Sequence, residues 1–285
     1  MKNKTILITG AAGSIGSALA RRIYQLQPKK LLLLDQDETG IFNLEEELKG
    51  AHGIIANIRD SEAILDVFFS HRPNIVFHCA AMKHVVMCER YPSECQKTNL
   101  IGLVNIVDKA VAYKTEKFVF ISSDKAVNPK CQMGISKQNG EDFCLSCNTE
   151  KGTKFIITRF GNVMASRGSV IPIWQKQIKE NKDLTVTSKN MERYFMGIYE
   201  AVDLVIQASQ IGKGGEIFVL DMGKPYKIDE LANLMIKLSG KPLGIKYTQV
   251  GQGEKFSEEL MTNEEKKRAI KKNNLFIIYD KSKKA

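Results

Sequence analysis

Three side chains suited to acid–base chemistry or hydrogen bonding, those of Ser123, Asp124 and Lys125, directly follow a short apolar strand pattern. In an open parallel sheet, ligands bind beyond the carboxyl ends of the strands. A carboxyl group and an amine side by side at such an edge could give a proton to one ligand atom and take one from its neighbour. Met133 and Lys137 stand four residues apart, so on a helix they would share one face. We predict a catalytic site built from these five residues.

Each of these residues also has a purely structural interpretation. The hydroxyl of Ser123 could cap or bond the backbone, as serine does in many turns. Asp124 and Lys125 could form a surface ion pair, and Lys137 could be exposed to solvent. The thioether of Met133 cannot deprotonate a hydroxyl group, so packing beside a bound ligand is its preferred interpretation.

A glycine-rich turn stands near the start of the sequence. Gly10, Gly13 and Gly16 lie between a strand pattern and the first helix pattern, with Ser14 and Ile15 inside the turn. Glycines make such a turn tight and let backbone N–H groups approach a pyrophosphate at the helix N-terminus. The spacing is a relative of the dinucleotide fingerprint, and the strand and helix that the fingerprint requires flank it. This turn therefore predicts a dinucleotide cofactor.

Residues at the ends of the next strand patterns complete the predicted cofactor site. Asp35 ends the second pattern about twenty residues after the turn, where an acidic side chain bonds the ribose hydroxyls and favours NAD over NADP. Asn57, Ile58 and Asp60 end the third pattern and could line the adenine, although Asp60 could equally be a charge at a helix N-terminus. Ala80, near the end of the fourth pattern, is assigned to the same site.

The elements that must position these residues alternate between strand and helix. Near-continuous apolar strands between amphipathic helices indicate a parallel sheet that is covered on both faces. We therefore predict an α/β fold of Rossmann type, with a doubly wound parallel sheet in a dinucleotide-binding domain over residues 1–160. Beyond residue 160 the alternation loosens, and residues 161–285 are predicted to form a smaller C-terminal substrate-binding domain that exchanges some chain with the first. The strand patterns of the first half are Thr5 to Gly10, Lys30 to Asp35, 53 to 60, Asn74 to Ala81, Lys117 to Ser123 and Lys154 to Phe160.

Composition excludes several classes of protein. The 285 residues are 43% hydrophobic and 26% charged, which is a globular balance and not that of a disordered chain. Apolar runs are too short to cross a bilayer, and no signal peptide is apparent, so we expect a cytoplasmic protein without membrane insertion. The net charge of +10 is concentrated towards the C-terminus without a nucleic-acid-binding motif, so we expect no nucleic-acid partner. The six cysteines are expected to be reduced, and no metal site is predicted.

The sequence resembles the UDP-N-acetylglucosamine 4,6-dehydratases, in the polysaccharide-biosynthesis branch of the extended short-chain dehydrogenase/reductases. The resemblance covers nearly the whole chain, in the right order. Members carry Ser or Thr at position 123, Asp at 124 and Lys at 125, and several carry Met where others have Tyr, as at Met133. The matching strings are ITGAAGSIGS, FHCAAMKHV, ISSDKAVNP, MGISK, RFGNVMASRGSVIP, RYFMGIYEAVDLVIQA, FVLDMG and GQGEKFSEEL.

This resemblance implies a chemistry for the central residues. Bound NAD(P) takes hydride from C4 of the sugar, and the resulting ketone acidifies the C5 proton. Lys125 is implied as the base at C5, and Asp124 as the acid that protonates the departing C6 hydroxyl. We expect Lys137 and partial burial to lower the pKa of Lys125, because a lysine must lose its charge to act as a base. Lys137 is also implied as a cofactor contact, and Asp124 is the candidate base for C4 oxidation in the absence of a tyrosine.

The resemblance also implies a binding site for the UDP-sugar. The planar guanidinium of an arginine suits a diphosphate, because it forms paired hydrogen bonds. A strand from residue 185 to 187 is expected to pair with the uracil through its backbone, and His84 could equally be an ordinary hydrogen-bond partner within its loop. The implied substrate contacts are Lys83, His84, Asn162, Val163, Arg167, Thr185, Arg193 and Glu254.

Several functional alternatives stay open from sequence. The resemblance favours NADP, which we therefore expect as the cofactor, and NAD is the close alternative that Asp35 favours. The leading function is 4,6-dehydration of UDP-N-acetylglucosamine, with or without inversion at C5. A companion enzyme could instead finish a 5,6-unsaturated intermediate, as in pseudaminic acid synthesis. A 4-epimerase and a non-catalytic nucleotide-binding regulator are further alternatives, and a homo-oligomer is expected.

Overall fold

The computed structural model describes residues 1–279, and helices and strands alternate along them. The strands are β1 (Thr5–Thr9), β2 (Lys30–Asp35), β3 (His52–Ile55), β4 (Ile75–His78), β5 (Lys117–Ile121), β6 (Lys154–Arg159), β7 (Asn162–Val163), β8 (Leu184–Val186), β9 (Glu192–Arg193), β10 (Phe195–Met196), β11 (Glu216–Leu220), β12 (Tyr226–Lys227), β13 (Ile245–Tyr247), β14 (Ile270–Lys272) and β15 (Leu275–Tyr279). The α-helices are α1 (Ser14–Gln25), α2 (Glu38–Glu47), α3 (Ser61–His71), α4 (Val85–Arg90), α5 (Pro92–Gln96), α6 (Gly102–Ala112), α7 (Gln132–Ser146), α8 (Val170–Lys179), α9 (Ile198–Ile211), α10 (Ile228–Ser239) and α11 (Asn263–Arg268).

Over residues 1–279, nine strands form one large sheet in the order β14-β15-β11-β6-β5-β4-β1-β2-β3. The seven strands from β3 to β11 run parallel, and β15 pairs antiparallel with both β11 and β14. The chain order reverses between β1 and β4, which is the topological switch point where ligands bind in such sheets. The doubly wound, Rossmann-type sheet predicted from the sequence is confirmed.

The strand patterns explain why this sheet is covered on both faces. Ile6 and Ile8 of β1 pack into one hydrophobic cluster, whereas Leu7 packs into the cluster on the opposite face. Leu32 and Leu33 of β2 divide between the two clusters in the same way. Successive side chains of a strand point to opposite faces, so an unbroken apolar run requires a cover on each side.

Two element boundaries differ from those expected from sequence. The first helix was expected to follow Gly16 but begins at Ser14, because the N–H groups that follow Gly13 already belong to its first turn. The third strand ends at Ile55, since the next residues form a turn into α3. A π-helical turn over Lys97–Ile101 leads into α6.

The second half of the chain contributes both to the large sheet and to a core of its own. Strands β11 and β15 belong to the large sheet, and α9 is tied to α1 by an ion pair between Arg22 and Asp203. Trp174, Leu184 and Ile228 belong to a separate hydrophobic cluster. A division into two domains near residue 160 stays a prediction. Within the part of the chain that the structure describes, no helix is long and apolar enough to cross a membrane.

Candidate active site

A cavity of about 710 Å³ opens at the carboxyl ends of the central parallel strands. A smaller cavity of about 370 Å³ adjoins it and shares Gly10 and Gly13 with it. Sixteen of the predicted site residues line the large cavity: Gly10, Gly13, Ser14, Ile15, Gly16, Lys83, His84, Ser123, Lys125, Met133, Lys137, Asn162, Val163, Arg167, Arg193 and Glu254. Four further predicted residues line the small cavity: Asp35, Asn57, Ile58 and Ala80.

The glycine turn forms the floor between the two cavities. Gly10 has a φ of +68°, and a Cβ atom there would lie 2.6 Å from the backbone nitrogen of Ala80. A Cβ atom on Gly16 would lie 2.1 Å from the carbonyl oxygen of Gly10. No larger residue fits at either position without moving backbone. The turn leads directly into α1, whose first N–H groups have no side-chain cap from Gly13. This is a favourable site for a phosphate group.

Asp35 lies at the end of β2, where a ribose of a bound dinucleotide would lie. Its Oδ2 atom accepts a hydrogen bond from the backbone of Ala12 at 3.0 Å, and its Oδ1 atom accepts one from the backbone of Asp37 at 3.1 Å. Asp37 in turn caps α2. The carboxylate of Asp35 is therefore held in one orientation beside the glycine turn, and a dinucleotide fits the donors and acceptors present here.

Asp60 lies outside both cavity linings and caps a helix. Its side chain accepts hydrogen bonds from the backbone N–H groups of Glu62 and Ala63 at the start of α3. This arrangement matches the alternative interpretation of Asp60 as a helix N-terminal charge. The carboxylate is committed to satisfying two backbone donors that the helix itself leaves without partners.

Asp124 and Lys125 form the chemical centre of the large cavity. The Oδ1 atom of Asp124 accepts a hydrogen bond from Ser123 Oγ at 2.8 Å and one from Lys125 Nζ at 3.0 Å. Asp124 is fully buried, whereas Ser123 and Lys125 reach the cavity. Among residues 1–279, no group donates a hydrogen bond to the buried Oδ2 atom of Asp124. Asp124 can therefore exchange protons with the cavity through its two neighbours.

The pKa of Lys125 departs from the expectation. Burial on its own lowers the pKa of this amine, but the charges of Asp124 and Glu258 outweigh burial and raise it above its ordinary value. Glu258 lies 3.6 Å from Lys125 Nζ. The prediction that Lys137 and burial would lower the pKa of Lys125 is wrong, because two carboxylates face this ammonium: the adjacent Asp124 and Glu258 from a distant part of the chain. Lys125 rests in its charged form.

Lys137 and Met133 share one face of α7, as their spacing predicted. The Nζ atom of Lys137 donates a hydrogen bond to the carbonyl of Ile121 at 2.7 Å and lies 4.7 Å from the centre of the Phe120 ring. Burial lowers the pKa of Lys137 to about 8. Met133 is buried against Cys88, Cys95 and Cys131, with its side chain at the cavity wall. This position fits the preferred interpretation of Met133 as a side chain that packs beside a ligand.

Two loops meet across the mouth of the cavity. Lys83 Nζ lies 3.4 Å from Ser166 Oγ, and the ring of His84 lies against Gly168, where a Cβ atom would be 2.6 Å from the ring. Burial lowers the pKa of both Lys83 and His84. The side chain of Arg167 is 71% exposed, and its Nη1 atom donates a hydrogen bond to Asp37 Oδ2 at 3.4 Å. These residues form an electropositive rim.

The far wall of the cavity belongs to the second half of the chain. Arg193 is buried and donates from Nη1 to the carbonyl oxygens of Glu192 and Phe256 at 2.7 and 3.1 Å. Glu254 lies in the same wall, and its Oε2 atom accepts a hydrogen bond from the backbone of Gly251. The remaining donors of Arg193 lie where a phosphate group could reach them from the cavity.

Thr185 lies behind this wall and not in it. Its backbone N–H donates to Gln177 Oε1 at 3.2 Å, and its carbonyl accepts from Trp174 Nε1 at 2.8 Å. Both backbone groups of Thr185 are therefore occupied inside the protein. Thr187, two residues further along, lines the cavity instead. Thr187 lies just beyond the end of β8 at Val186, so the end of this segment, and not its centre, faces the ligand space.

Comparison with known proteins is consistent with this site. A family described as "Polysaccharide biosynthesis protein" matches residues 6–280. The chain is a member of this family. This membership confirms the branch of the extended short-chain dehydrogenase/reductases that the motifs resemble.

Individual relatives agree with this assignment. The chain is 44% identical over 276 residues to the capsular polysaccharide biosynthesis protein CapD of Staphylococcus aureus, covering 93% of this chain and 46% of CapD. It is thus about half the length of that curated relative. It is 36% identical over 289 residues to a UDP-glucose 4-epimerase of Rickettsia bellii, covering 97% of this chain and 83% of that protein. The X-ray structure of Pen from Bacillus thuringiensis has a TM-score of 0.93 and 37% identity, covering 98% of this chain and 89% of that one.

Sequence reasoning missed three buried glutamates of this family member. Glu141 accepts hydrogen bonds from Ser122 Oγ and from Arg159, and Glu265 bonds the same guanidinium. Glu141 follows Lys137 by four residues on one helix face, a spacing that could have revealed it. Glu258 lies inside a quoted family string, but nothing local connects it with Lys125, which is more than 130 residues away.

Proposed function

We propose that this protein oxidises C4 of a UDP-N-acetylhexosamine transiently and removes its C5 proton, and that the overall reaction is 4,6-dehydration of UDP-N-acetylglucosamine. The observation that carries the proposal is the Asp124–Lys125 pair in the wall of a cavity that also contains a dinucleotide-type glycine turn. A protein that only binds a nucleotide does not need a buried acid and an amine at this position. Membership of the polysaccharide biosynthesis family supports a sugar substrate.

The resting ion pair contains one proton that can be relocated within the site. Transfer of this proton from Lys125 Nζ to Asp124 Oδ1, across 3.0 Å, converts the ammonium and carboxylate into an amine and a carboxylic acid. The neutral amine of Lys125 can then accept the C5 proton. The acid of Asp124 can return its proton through the Ser123 hydroxyl, which lies 2.8 Å from Oδ1 and faces the cavity, to the departing C6 hydroxyl. The proton that the C4 hydroxyl loses on oxidation passes to solvent. Lys125 gives its proton back to C5 as C6 is reduced, and a proton from solvent restores the ammonium.

Other residues of the cavity would bind and orient the substrate. Arg193 and Arg167 both line the cavity and suit the two phosphates of a UDP group. The backbone at Thr187 is the better placed partner for the uracil, since that of Thr185 is occupied. The Lys137 ammonium, which donates to the carbonyl of Ile121 and lines the same cavity, favours an anionic or electron-rich part of the cofactor.

We propose NAD as the cofactor, although the resemblance favours NADP. The carboxylate of Asp35 lies at the end of β2, where a ribose 2′-phosphate would meet its negative charge, whereas the carboxylate of Asp37 is paired with Arg167. Arg59, the nearby guanidinium of the small cavity, is already paired with Glu94 at 2.5 Å. When bound, this cofactor would accept hydride from C4 and return it to C6. Fluorescence titration should show tight NADH and weak NADPH binding, and the reverse order would restore the NADP prediction.

Proton NMR of the purified protein with UDP-N-acetylglucosamine and NAD in D2O tests the reaction. We expect a new C6 methyl signal, whose coupling reports the configuration at C5. Lys125→Met should slow its formation by at least about 100-fold, because general acid–base groups contribute that much or more. Lys176→Met is the matched control, since this lysine is 77% exposed on α8. A methyl signal of unchanged rate in Lys125→Met would contradict the assignment of the base.

A second candidate function is 4-epimerisation, which the similarity to a UDP-glucose 4-epimerase favours. Met133 stands where the resembling short-chain enzymes normally have a catalytic tyrosine, and 4-epimerisation has no need for a base at C5. The same NMR experiment separates the two, because an epimerase yields a C4 epimer without deuterium at C5 and without a methyl signal. If the protein binds UDP and NADH but forms no product, a 5,6-unsaturated UDP-sugar should be tested as the substrate. If that sugar is not converted either, the protein is a non-catalytic nucleotide-binding regulator.

A further inference from the structure

Lys125 has a second buried carboxylate partner that belongs to a distant part of the chain. Glu258 is 5% exposed, and its Oε1 atom lies 3.6 Å from Lys125 Nζ. Its Oε2 atom accepts no hydrogen bond from residues 1–279 and lies 3.8 Å from Lys255 Nζ. Burial of a carboxylate with so few hydrogen bonds destabilises the folded state, so the position of Glu258 beside the amine of Lys125 needs a functional explanation.

The segment that carries Glu258 is fastened directly to the loop that carries Lys125. Lys255 Nζ donates to the carbonyl of Val127 at 2.8 Å, and Glu259 accepts from Asn128 Nδ2 at 2.9 Å. Gly253 has a φ of +78°, and a Cβ atom there would lie 2.7 Å from Cys131 Cβ. The segment and the loop approach each other so closely at Gly253 that no residue with a side chain fits there.

The same segment is also fastened to the wall that would bind the diphosphate. The carbonyl of Phe256 accepts hydrogen bonds from Arg193 Nη1 at 3.1 Å and from the backbone of Glu192 at 2.8 Å. Glu254 of this segment lines the cavity, whereas Glu258 does not contribute to its lining. Glu258 therefore contacts Lys125 on the side that faces away from the cavity, and a ligand in the cavity cannot reach it.

We propose that Glu258 is a positioning residue that holds the side chain of Lys125 in place and stabilises its ammonium form while Asp124 carries the proton. This inference rests on the proposed function for its catalytic consequence. When Lys125 takes the C5 proton, its nitrogen gains a positive charge at a moment when Asp124 is a neutral acid. Glu258 is then the carboxylate that faces this ammonium, much as a buried carboxylate stabilises the imidazolium that forms in a serine protease triad.

Other charged or titratable groups also face this ammonium, and none of them replaces Glu258. The positive groups oppose the protonated form of Lys125, and a thiol that burial keeps protonated carries no charge. The groups that surround the Lys125–Glu258 pair are Asp124, Cys131, Arg193 and Lys255.

Amine labelling of the cofactor-free full chain tests the inference without any turnover. A small amine-reactive reagent is applied over a range of pH, and labelling of Lys125 is followed by mass spectrometry of its peptide. Glu258→Gln should move the midpoint of labelling to lower pH by about one unit or more, because loss of a nearby opposite charge favours the neutral amine. Glu259→Gln is the matched control, since it removes the adjacent and exposed carboxylate. An unchanged midpoint in Glu258→Gln would overturn the inference.

Kinetics of the same variants tests the catalytic part. Glu258→Gln should lower kcat by about tenfold or more with little change in KM, and should move the basic limb of the kcat profile to lower pH, because the active resting pair needs the proton of Lys125. Glu258→Asp keeps the charge and should show an intermediate labelling shift and a partial recovery of kcat. If Glu258→Gln does not fold, an unshifted midpoint in Glu258→Asp overturns the inference. Labelling decides the role of Glu258 even if the dehydration itself is not observed, so the two proposals can fail separately.

Discussion

Lys137 is a buried lysine in the wall of the large cavity, and it should make the stability of the cofactor-free protein depend on pH. Burial lowers its pKa from 10.5 to about 8. Since one unit corresponds to about 1.4 kcal/mol, the protonated side chain destabilises the fold by about 3 kcal/mol. The folded pKa lies below the unfolded one, so this destabilisation is complete below about pH 8 and disappears as the pH rises towards 10.5.

Lys137→Met removes this pH-dependent contribution. It also removes the hydrogen bond to Ile121, which costs about 1–3 kcal/mol at every pH. The free energy of unfolding of the variant, relative to wild type, should therefore fall by about 2 kcal/mol between about pH 7 and about pH 9.5. Urea denaturation followed by circular dichroism measures this difference, with Lys176→Met as the exposed control. A difference that is constant between the two pH values would refute the reasoning from a buried ammonium.

Two further predictions concern stability and cofactor binding. Arg159→Met leaves two buried glutamates without their cation and should lower the free energy of unfolding by about 3–5 kcal/mol. Arg21→Met removes a bidentate but exposed pair and should cost less than about 1 kcal/mol, so similar urea midpoints for the two variants would contradict this ranking. Gly16→Ala places a Cβ atom 2.1 Å from a backbone oxygen of the turn and should weaken NADH binding about tenfold or more. Gly197→Ala, which meets nothing closer than 3.9 Å, should bind NADH normally in the same titration.

Local patterns in the sequence were enough to predict the sheet and the cofactor turn. The apolar run of β2 is buried on both faces because consecutive side chains point in opposite directions, which a two-sided parallel sheet satisfies. Gly10 and Gly16 could also be assigned from the sequence, because close backbone contact excludes every larger residue at both positions. Asp60 was ambiguous, because the same residue type suits both a helix cap and a ligand contact.

The amino-acid sequence alone determined which residues could do chemistry and on which strand ends they would meet, because spacing within strands and helices is a local property. The tertiary structure alone decided how they are charged and which of them face the cavity. Asp124 is withdrawn behind Lys125, and the pKa of Lys125 is raised and not lowered, because Glu258 approaches from a segment far along the chain. Burial and charge–charge distance depend on how separate segments are brought together, so no local pattern contains them.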